Sequence, residues 1–177
     1  MESKPTAPRP PPPPPPSFGE TPAISKEKYA AAMGVDLQQQ ADPFTPCYMF
    51  FYGSLMDAEV LQSVLGLPDV PQMSKGEIKG FSMKIWGIYP TIIRYTQGTI
   101  SGTIWKVDSE SHFLRLHEYE TGVYKWCYCE VKLEDGRELK GCRTFCWAGN
   151  ADSKELEEGE FDLLRYQKYF KASVDRR

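Results

Sequence analysis

Two short stretches combine residue types that could perform acid–base chemistry on a small substrate. The first is "YGSL", residues 52–55, where an apolar and aromatic run stops at a glycine and a small hydroxyl residue follows. The second is "LHEYETGVYKW", residues 116–126, in which Glu120 stands between Tyr119 and Tyr124. A glycine turn can present backbone N–H groups to an anion, and a carboxyl group can transfer protons. The two stretches therefore predict an oxyanion-binding turn and a general base.

A strand, a turn and a helix are predicted around the first stretch. Met49 to Tyr52 forms a buried strand, Asp57 caps the helix that follows, and Gly66 ends it. The glycine would free the N–H groups of residues 53–55 from strand pairing, and the helix N-terminus adds positive potential there. The alternative is a plain strand-to-helix turn, which needs the same residues.

The second stretch places Glu120 at the end of another predicted helix. This helix starts after Asp108 or Ser109, ends near Tyr119 and has Gly122 as its C-cap; its buried side carries Phe113, Leu114 and Leu116. A carboxylate at the negative end of a helix dipole is disfavoured, which raises its pKa toward a value useful in proton transfer. The alternative is that Glu118 and Glu120 are both solvated, as most glutamates are.

The remaining elements indicate an α+β domain. Residues 73–107 carry short strand-like runs broken by glycines, and a last helix is predicted over Glu160 to Ala172 with Phe161, Leu164 and Phe170. A hairpin is predicted at Asp135-Gly136. With a two-residue loop, it pairs Glu134 with Arg137 and places Cys129 opposite Cys142. We expect a small mixed or closed, β-barrel-like sheet with flanking helices.

The hairpin cysteines and the two histidines are the remaining candidates for metal ligands. Four cysteines fall in this hairpin, and their alternation favours small buried side chains over a zinc site, which prefers CxxC spacing at tight turns; they are Cys127, Cys129, Cys142 and Cys146. His112 and His117 are predicted to be helix-surface residues. No metal and no cofactor is expected.

Two regions of different composition divide the chain. Residues 1–44 contain the unbroken run Pro10 to Pro16 and are predicted to be a disordered proline-rich tail, with one possible short helix over residues 25–40. The tail is either a solvated spacer or a docking segment for a proline-recognising module. Residues 45–174 form the predicted globular domain.

Composition excludes several classes of protein. The 177 residues are 41% hydrophobic with a net charge of −3, which fits one globular domain and argues against a nucleic-acid partner. No apolar run reaches the roughly 18 to 20 residues of a membrane span, and the N-terminus has no apolar signal core. We therefore expect a cytoplasmic protein without membrane contact, its five cysteines reduced.

Three stretches together resemble the γ-glutamylcyclotransferase-like family, in its avirulence-induced-gene branch. They are "FFYGSLM", "LHEYETGVYKW" and "CRTFCWAGNADSKELEEGEFDLLRYQKYF", and the resemblance covers residues 48 to about 170. Residues 52–55 match the family's Tyr-Gly-Ser/Thr-Leu motif. Tyr119, Glu120 and Tyr124 match, in order, its essential glutamate and the residues around it.

The resemblance implies a fold and a reaction. The fold would be that of the γ-glutamylcyclotransferases, and the reaction the cyclisation of a γ-glutamyl amide or peptide to 5-oxoproline with release of an amine. Glu120 would be the catalytic acid and base. The substrate would be bound by Tyr52, Gly53, Ser54, Leu55, Met56, Asp57 and Tyr124. No metal, nucleotide or other cofactor would be needed.

One departure leaves alternatives open. The family often has an arginine two residues after the tyrosine, where this chain has Trp126. A catalytically altered member that acts as a ligand-binding or protein-interaction module is therefore the second hypothesis. A third, a γ-glutamylamine-lyase-like role in secondary metabolism or thiol turnover, differs only in substrate.

Overall fold

The computed structural model describes residues 43–173, which form a β-barrel with helices on its outer side. The predicted tail and its possible helix lie outside the described residues, apart from the last two residues of the tail. Strands and helices alternate irregularly along the chain, and their bounds are β1 Cys47–Phe51, α1 Ala58–Leu65, β2 Ser74–Trp86, β3 Tyr89–Val107, α2 Glu110–Glu120, β4 Tyr124–Leu133, β5 Glu138–Trp147, β6 Leu156–Glu158 and α3 Leu163–Tyr169.

Five of the strands close into a ring. Their order is β3-β1-β5-β4-β2, and β2 pairs again with β3, while the short β6 pairs with the end of β2. Neighbours in the ring are antiparallel except β1 and β5, which are parallel. The predicted α+β class and the closed, mixed sheet are confirmed.

Two long strands replace the short runs predicted over residues 73–107. The glycines in this region do not end the strands, because they lie where two backbones come close together. A Cβ on Gly98 would lie 1.9 Å from the Phe81 carbonyl oxygen, and one on Gly102 would lie 2.1 Å from that of Phe51. Such approaches exclude any side chain and permit the tight curvature of a small barrel.

Alternation along the strands divides the apolar side chains between two cores. One core fills the barrel and is lined by isoleucine, phenylalanine and cysteine side chains, including Phe50, Ile78, Ile104, Cys129 and Cys142. The other lies between the barrel and the helices α1 and α2, and includes Met49, Phe51, Leu61, Leu116 and Phe145. All five cysteines are buried and free.

The hairpin between β4 and β5 confirms one predicted pairing and corrects another. Cys129 faces Cys142, but Lys132 faces Glu138, so the predicted two-residue loop that pairs Glu134 with Arg137 is wrong. The loop is longer, and a bulge between Cys129 and Val131 shifts the register back. The longer loop and the bulge each shift the pairing of the strands by one residue, in opposite directions. The cysteines therefore stay inside the barrel.

Helix α1 is the element that was predicted best. The Asp57 side chain accepts hydrogen bonds from the N–H groups of Glu59 and Val60, and Gly66 ends the helix with φ 65°. Each end thus uses the residue type that its geometry demands: an acidic N-cap, and a glycine in the left-handed region.

Helices α2 and α3 differ from their predictions. Leu114 is 43% exposed rather than buried, and α2 has Thr121 rather than Gly122 as its C-cap. His117 is buried rather than on the surface, while His112 is partly exposed. Helix α3 spans only Leu163–Tyr169, it has no buried residue, and its Leu164 is 77% exposed.

Residues just before β1 already belong to the domain. The Phe44 ring lies 5.9 Å from that of Phe113 and packs against the outer core. The predicted boundaries at residues 44/45 and at 174 otherwise remain predictions. Within the described range, no helix has the length and apolar character needed to cross a membrane.

Candidate active site

The "YGSL" stretch forms a tight turn between β1 and α1. Ser54–Met56 is one turn of 3-10 helix, closed by hydrogen bonds from Met56 N–H to Gly53 C=O and from Asp57 N–H to Ser54 C=O, each 3.0 Å. The N–H groups at the start of such a turn have no partner within it. Ser54 and Leu55 therefore present the type of donor that an oxyanion requires.

Gly53 is required here by a close contact rather than by its φ. A Cβ at this position would approach the Pro90 side chain to 3.0 Å. Its φ of −122° is accessible to other residues. The glycine thus allows the start of β3 to lie directly against the turn.

The side chains of the turn have different surroundings. Leu55 is buried and Met56 partly buried, and both pack in the outer core. The Tyr52 hydroxyl donates to the Phe145 carbonyl at 2.6 Å. The Ser54 hydroxyl lies 2.8 Å from that of Tyr119, either of which can be the donor. Ser54 and Tyr119 thus join the turn to the last residues of α2.

The carboxyl group of Glu120 lies beside this turn, on the last residue of α2. The residue keeps part of its surface exposed, but burial among its neighbours raises the pKa of the carboxyl group to about 8. No hydrogen bond or ion pair to this carboxyl group is present among residues 43–173. Loss of hydration without a compensating partner is the physical cause of the raised pKa. This environment favours the predicted acid–base group over an ordinary solvated glutamate.

Three tyrosines share the electrostatic field of Glu120. Burial is the main reason that the pKa values of Tyr52, Tyr119 and Tyr124 are raised, and an ionised Glu120 raises each of them further. The Tyr124 hydroxyl donates to the Pro90 carbonyl at 2.8 Å. The tyrosines therefore remain neutral near pH 7 and do not neutralise the carboxyl group.

Helix α2 ends in an unusual conformation immediately after Glu120. Thr121 has φ 65° and ψ 179°, a region that is populated almost only by glycine. A β-branched residue there carries strain of about 1–3 kcal/mol. This strain falls next to the one buried carboxyl group of the site that lacks a partner among the described residues.

Both oxygens of the Asp57 carboxylate make structural contacts. One oxygen caps α1, and the other accepts from Gln167 at 2.7 Å and lies 2.9 Å from the Lys171 ammonium. Burial favours the protonated form, but hydrogen bonds from Gln167, Lys171 and the Val60 N–H outweigh it, so the pKa of Asp57 is lowered. Through Asp57, α3 and the residues after it are held against the turn.

Other predicted candidates fall elsewhere. Trp126 is buried in the outer core, with its ring 6.3 Å from that of Phe113 and beneath the Arg143 guanidinium. In the described part of the chain, no group of three or more potential ligand side chains could hold a metal ion. Two shallow hollows, of about 430 and 300 Å³, lie near Gln62 and near Trp105 and do not include Glu120.

Several residues near the site were not assigned to it from the sequence. Tyr119 appeared only as part of a motif, yet its hydroxyl contacts that of Ser54. Pro90 contacts both Gly53 and Tyr124. The stretch "WGIYP" offered a signal, because aromatic residues around a glycine turn mark a hairpin tip. Gln167 and Lys171 offered none, since nothing local links them to Asp57.

Comparison with known proteins shows the family and the fold. The family model described as "Gamma-glutamyl cyclotransferase, AIG2-like" matches residues 49–163. AIG2-like protein C of Arabidopsis thaliana is 30% identical over 125 residues, which are 70% of this chain and 70% of that protein. Two Arabidopsis thaliana proteins solved in solution share the fold at 20% identity. One has a TM-score of 0.55 over 76% of this chain and 89% of its own. The other has a TM-score of 0.57 over 76% and 80%.

Proposed function

Because the chain belongs to the gamma-glutamyl cyclotransferase, AIG2-like family, we propose that it converts a γ-glutamyl amide or peptide to 5-oxoproline and a free amine, with Glu120 as general acid and base. The observation that carries the proposal is the Glu120 carboxyl group, which is buried, has no partner among the described residues and has a pKa raised to about 8. A group with a pKa near the working pH can both accept and return a proton.

The reaction is intramolecular and follows from the chemistry of the γ-glutamyl group. Ionised Glu120 takes a proton from the α-ammonium, and the freed amine attacks the γ-carbonyl carbon of the same substrate. The new C–N bond closes the ring, and the carbonyl oxygen becomes an oxyanion. Protonated Glu120 then gives its proton to the departing nitrogen as the original amide bond breaks. The α-ammonium loses two protons in all, and the released amine leaves as an ammonium ion that carries both.

The turn and the tyrosines supply the other requirements. The N–H groups of Ser54 and Leu55 and the Ser54 hydroxyl would stabilise the oxyanion, a contribution that is large in other acyl transfers. The contact between Ser54 and Tyr119 would hold that hydroxyl in place. Tyr124 would limit the substrate to a folded-back conformation, which brings the amine to the carbonyl. The site would be cytoplasmic and would act without metal or cofactor.

Trp126 favours a second candidate function. The indole fills the outer core, where the family often has a cation two residues after the tyrosine. Without that cation a γ-glutamyl ligand would be bound without turnover, and the protein would act as a ligand-binding module. A proline-recognising partner that binds residues 1–44 would be compatible with either function.

The test is the formation of 5-oxoproline from glutathione, γ-glutamyl-lysine and a panel of γ-glutamyl dipeptides. We expect Glu120→Gln to lower kcat/KM by about two to four orders of magnitude, the usual scale of acid–base catalysis. Glu118→Gln is the matched control, two residues away in the same helix and partly exposed, and should retain activity. Normal turnover by both variants would exclude Glu120 as the base. Binding without any turnover by the wild type would favour the second candidate.

A further inference from the structure

Three aromatic side chains pack together at one end of the barrel. The Trp86 ring lies 6.1 Å from that of Tyr89 and 5.9 Å from that of Trp147. Trp86 and Tyr89 flank the turn between β2 and β3, and Trp147 is the last residue of β5. We call these three residues the aromatic shelf.

The aromatic shelf is continuous with the candidate active site. Trp147 lies directly opposite Tyr124 in the pairing of β4 with β5, so the two side chains share one face of the sheet. Pro90, which follows Tyr89, accepts the Tyr124 hydroxyl at 2.8 Å and contacts Gly53. Tyr124 therefore connects the surroundings of Glu120 with the shelf.

Part of this surface is left open. Tyr89 is 37% exposed and the adjacent Ile88 is 47% exposed, at a turn where Gly87 has φ 65°. Trp86 is also partly exposed, whereas Trp147 is buried beneath it. Clustered exposed aromatic surface beside a polar site is typical of ligand contact.

The charges around the shelf limit what it could bind. The Lys84 ammonium, two residues before Trp86 on β2, is paired with Glu158. The segment from Asn150 to Glu160 contains five carboxylates and one lysine, and its strand β6 pairs with β2 as far as Trp86. A shelf with an acidic flank suits an apolar group better than a group that carries a carboxylate.

From this arrangement we infer that the aromatic shelf binds the amine half of the γ-glutamyl substrate, and that this half is a large apolar, preferably aromatic, amine. The inference rests on the proposed function and adds the class of leaving group. The γ-glutamyl half carries a carboxylate and an ammonium, which suit the Ser54 turn and Glu120. The released nitrogen lies next to Glu120, so the group attached to it extends past Tyr124 onto the aromatic rings.

The experiment compares matched pairs of substrates that differ only in the ring. γ-Glutamyl-phenethylamide is paired with γ-glutamyl-ethylamide, and γ-glutamyl-phenylalanine with γ-glutamyl-alanine. We expect kcat/KM to favour the aromatic member of each pair by about tenfold or more, the scale on which apolar pockets discriminate. In Tyr89→Ala the ratio should fall toward one. A wild-type ratio near one would overturn the inference while leaving the reaction intact.

Two controls separate the inference from folding and from the reaction itself. Tyr95→Ala removes a similarly exposed tyrosine from the same strand, away from the shelf, and should keep the wild-type ratio. Calorimetric binding of the amides to Glu120→Gln measures recognition when turnover is absent. Tighter binding of the phenethylamide there supports the shelf even if no 5-oxoproline forms with the wild type. Equal binding of both amides, or none, overturns it.

Discussion

Helix α1 begins and helix α2 ends at the candidate site, but the two helix ends are built in opposite ways. Asp57 at the start of α1 has all its hydrogen-bonding capacity used, and its pKa is lowered. Glu120 at the end of α2 has no partner among the described residues, and its pKa is raised to about 8. Two carboxyl groups in one neighbourhood therefore have opposite protonation preferences, set by their surroundings.

The contrast continues at the other helix boundaries. Helix α1 ends at Gly66 with φ 65°, a conformation that glycine adopts without strain, whereas α2 ends at Thr121 in a region that suits only glycine. The Ser109 side chain, at the N-cap of α2, makes no capping hydrogen bond. Proteins commonly break local rules where they perform chemistry, and such breaks are found at the end of α2 and not in α1, which agrees with the proposed role of Glu120.

The largest expected effect concerns the pH dependence of the reaction. A base with a pKa of about 8 is mostly protonated, and so inactive, below that pH. We expect kcat/KM to rise about tenfold per pH unit as the pH increases toward 8, and then to level off. Glu118→Gln should show the same rise of kcat/KM with pH. If kcat/KM instead rises and levels off near pH 4 to 5, Glu120 has the pKa of an ordinary glutamate, and the contrast with Asp57 is lost.

Two substitutions, one at the end of each helix, test the strain assigned to Thr121. Thr121→Gly should raise the free energy of unfolding by about 1 kcal/mol, because relief of strain exceeds the entropy cost of glycine. Gly66→Ala should lower it by about 1–2 kcal/mol, the cost of a left-handed conformation with a side chain. Urea unfolding measures both. We also expect turnover to fall in Thr121→Gly, because Glu120 is held less firmly. A loss of stability in Thr121→Gly would contradict the assignment.

Removing the two N-cap side chains should have unequal effects. Asp57→Ala should cost about 0.5–2 kcal/mol of stability, the usual cost of losing a bonded cap. Ser109→Ala should cost almost nothing, since its hydroxyl contacts Ser111 instead of the helix N–H groups. Thermal unfolding of both variants checks this. A loss of turnover in Asp57→Ala greater than its lost stability explains would support the substrate-binding role predicted from the sequence.

The smallest effect is expected from shortening the N-terminus. Deleting residues 1–42 should leave Tm unchanged, whereas deleting residues 1–44 also removes Phe44 and should cost about 1 kcal/mol for its partial burial against Phe113. Calorimetric scans of the two shortened proteins make the comparison. Equal Tm values for both would place the boundary where composition predicted it.

Local signals in the sequence determined the parts of this protein in which neighbours along the chain decide the structure. Asp57 and Gly66 fixed both ends of α1, because capping and left-handed turns depend on the residue itself. Alternation in "YKWCYCEVKL" placed cysteines inside the barrel, because strand side chains alternate between faces. The order of the "YGSL" and "EYETGVY" motifs was enough to indicate the family, the fold class and Glu120.

Only the tertiary structure decided the features that depend on distant backbones. Gly98 and Gly102 looked like strand breaks, but barrel closure turned them into close contacts within long strands. Thr121 replaced Gly122 as the end of α2, and His117 became buried, because packing against the barrel outweighed local preference. Lys171 pairs with Asp57, and the Trp86 ring packs near that of Trp147, although these residues are far apart in the sequence and no repeating pattern links them. The raised pKa of Glu120 belongs here as well, because desolvation is the sum of everything that surrounds a group in the folded chain.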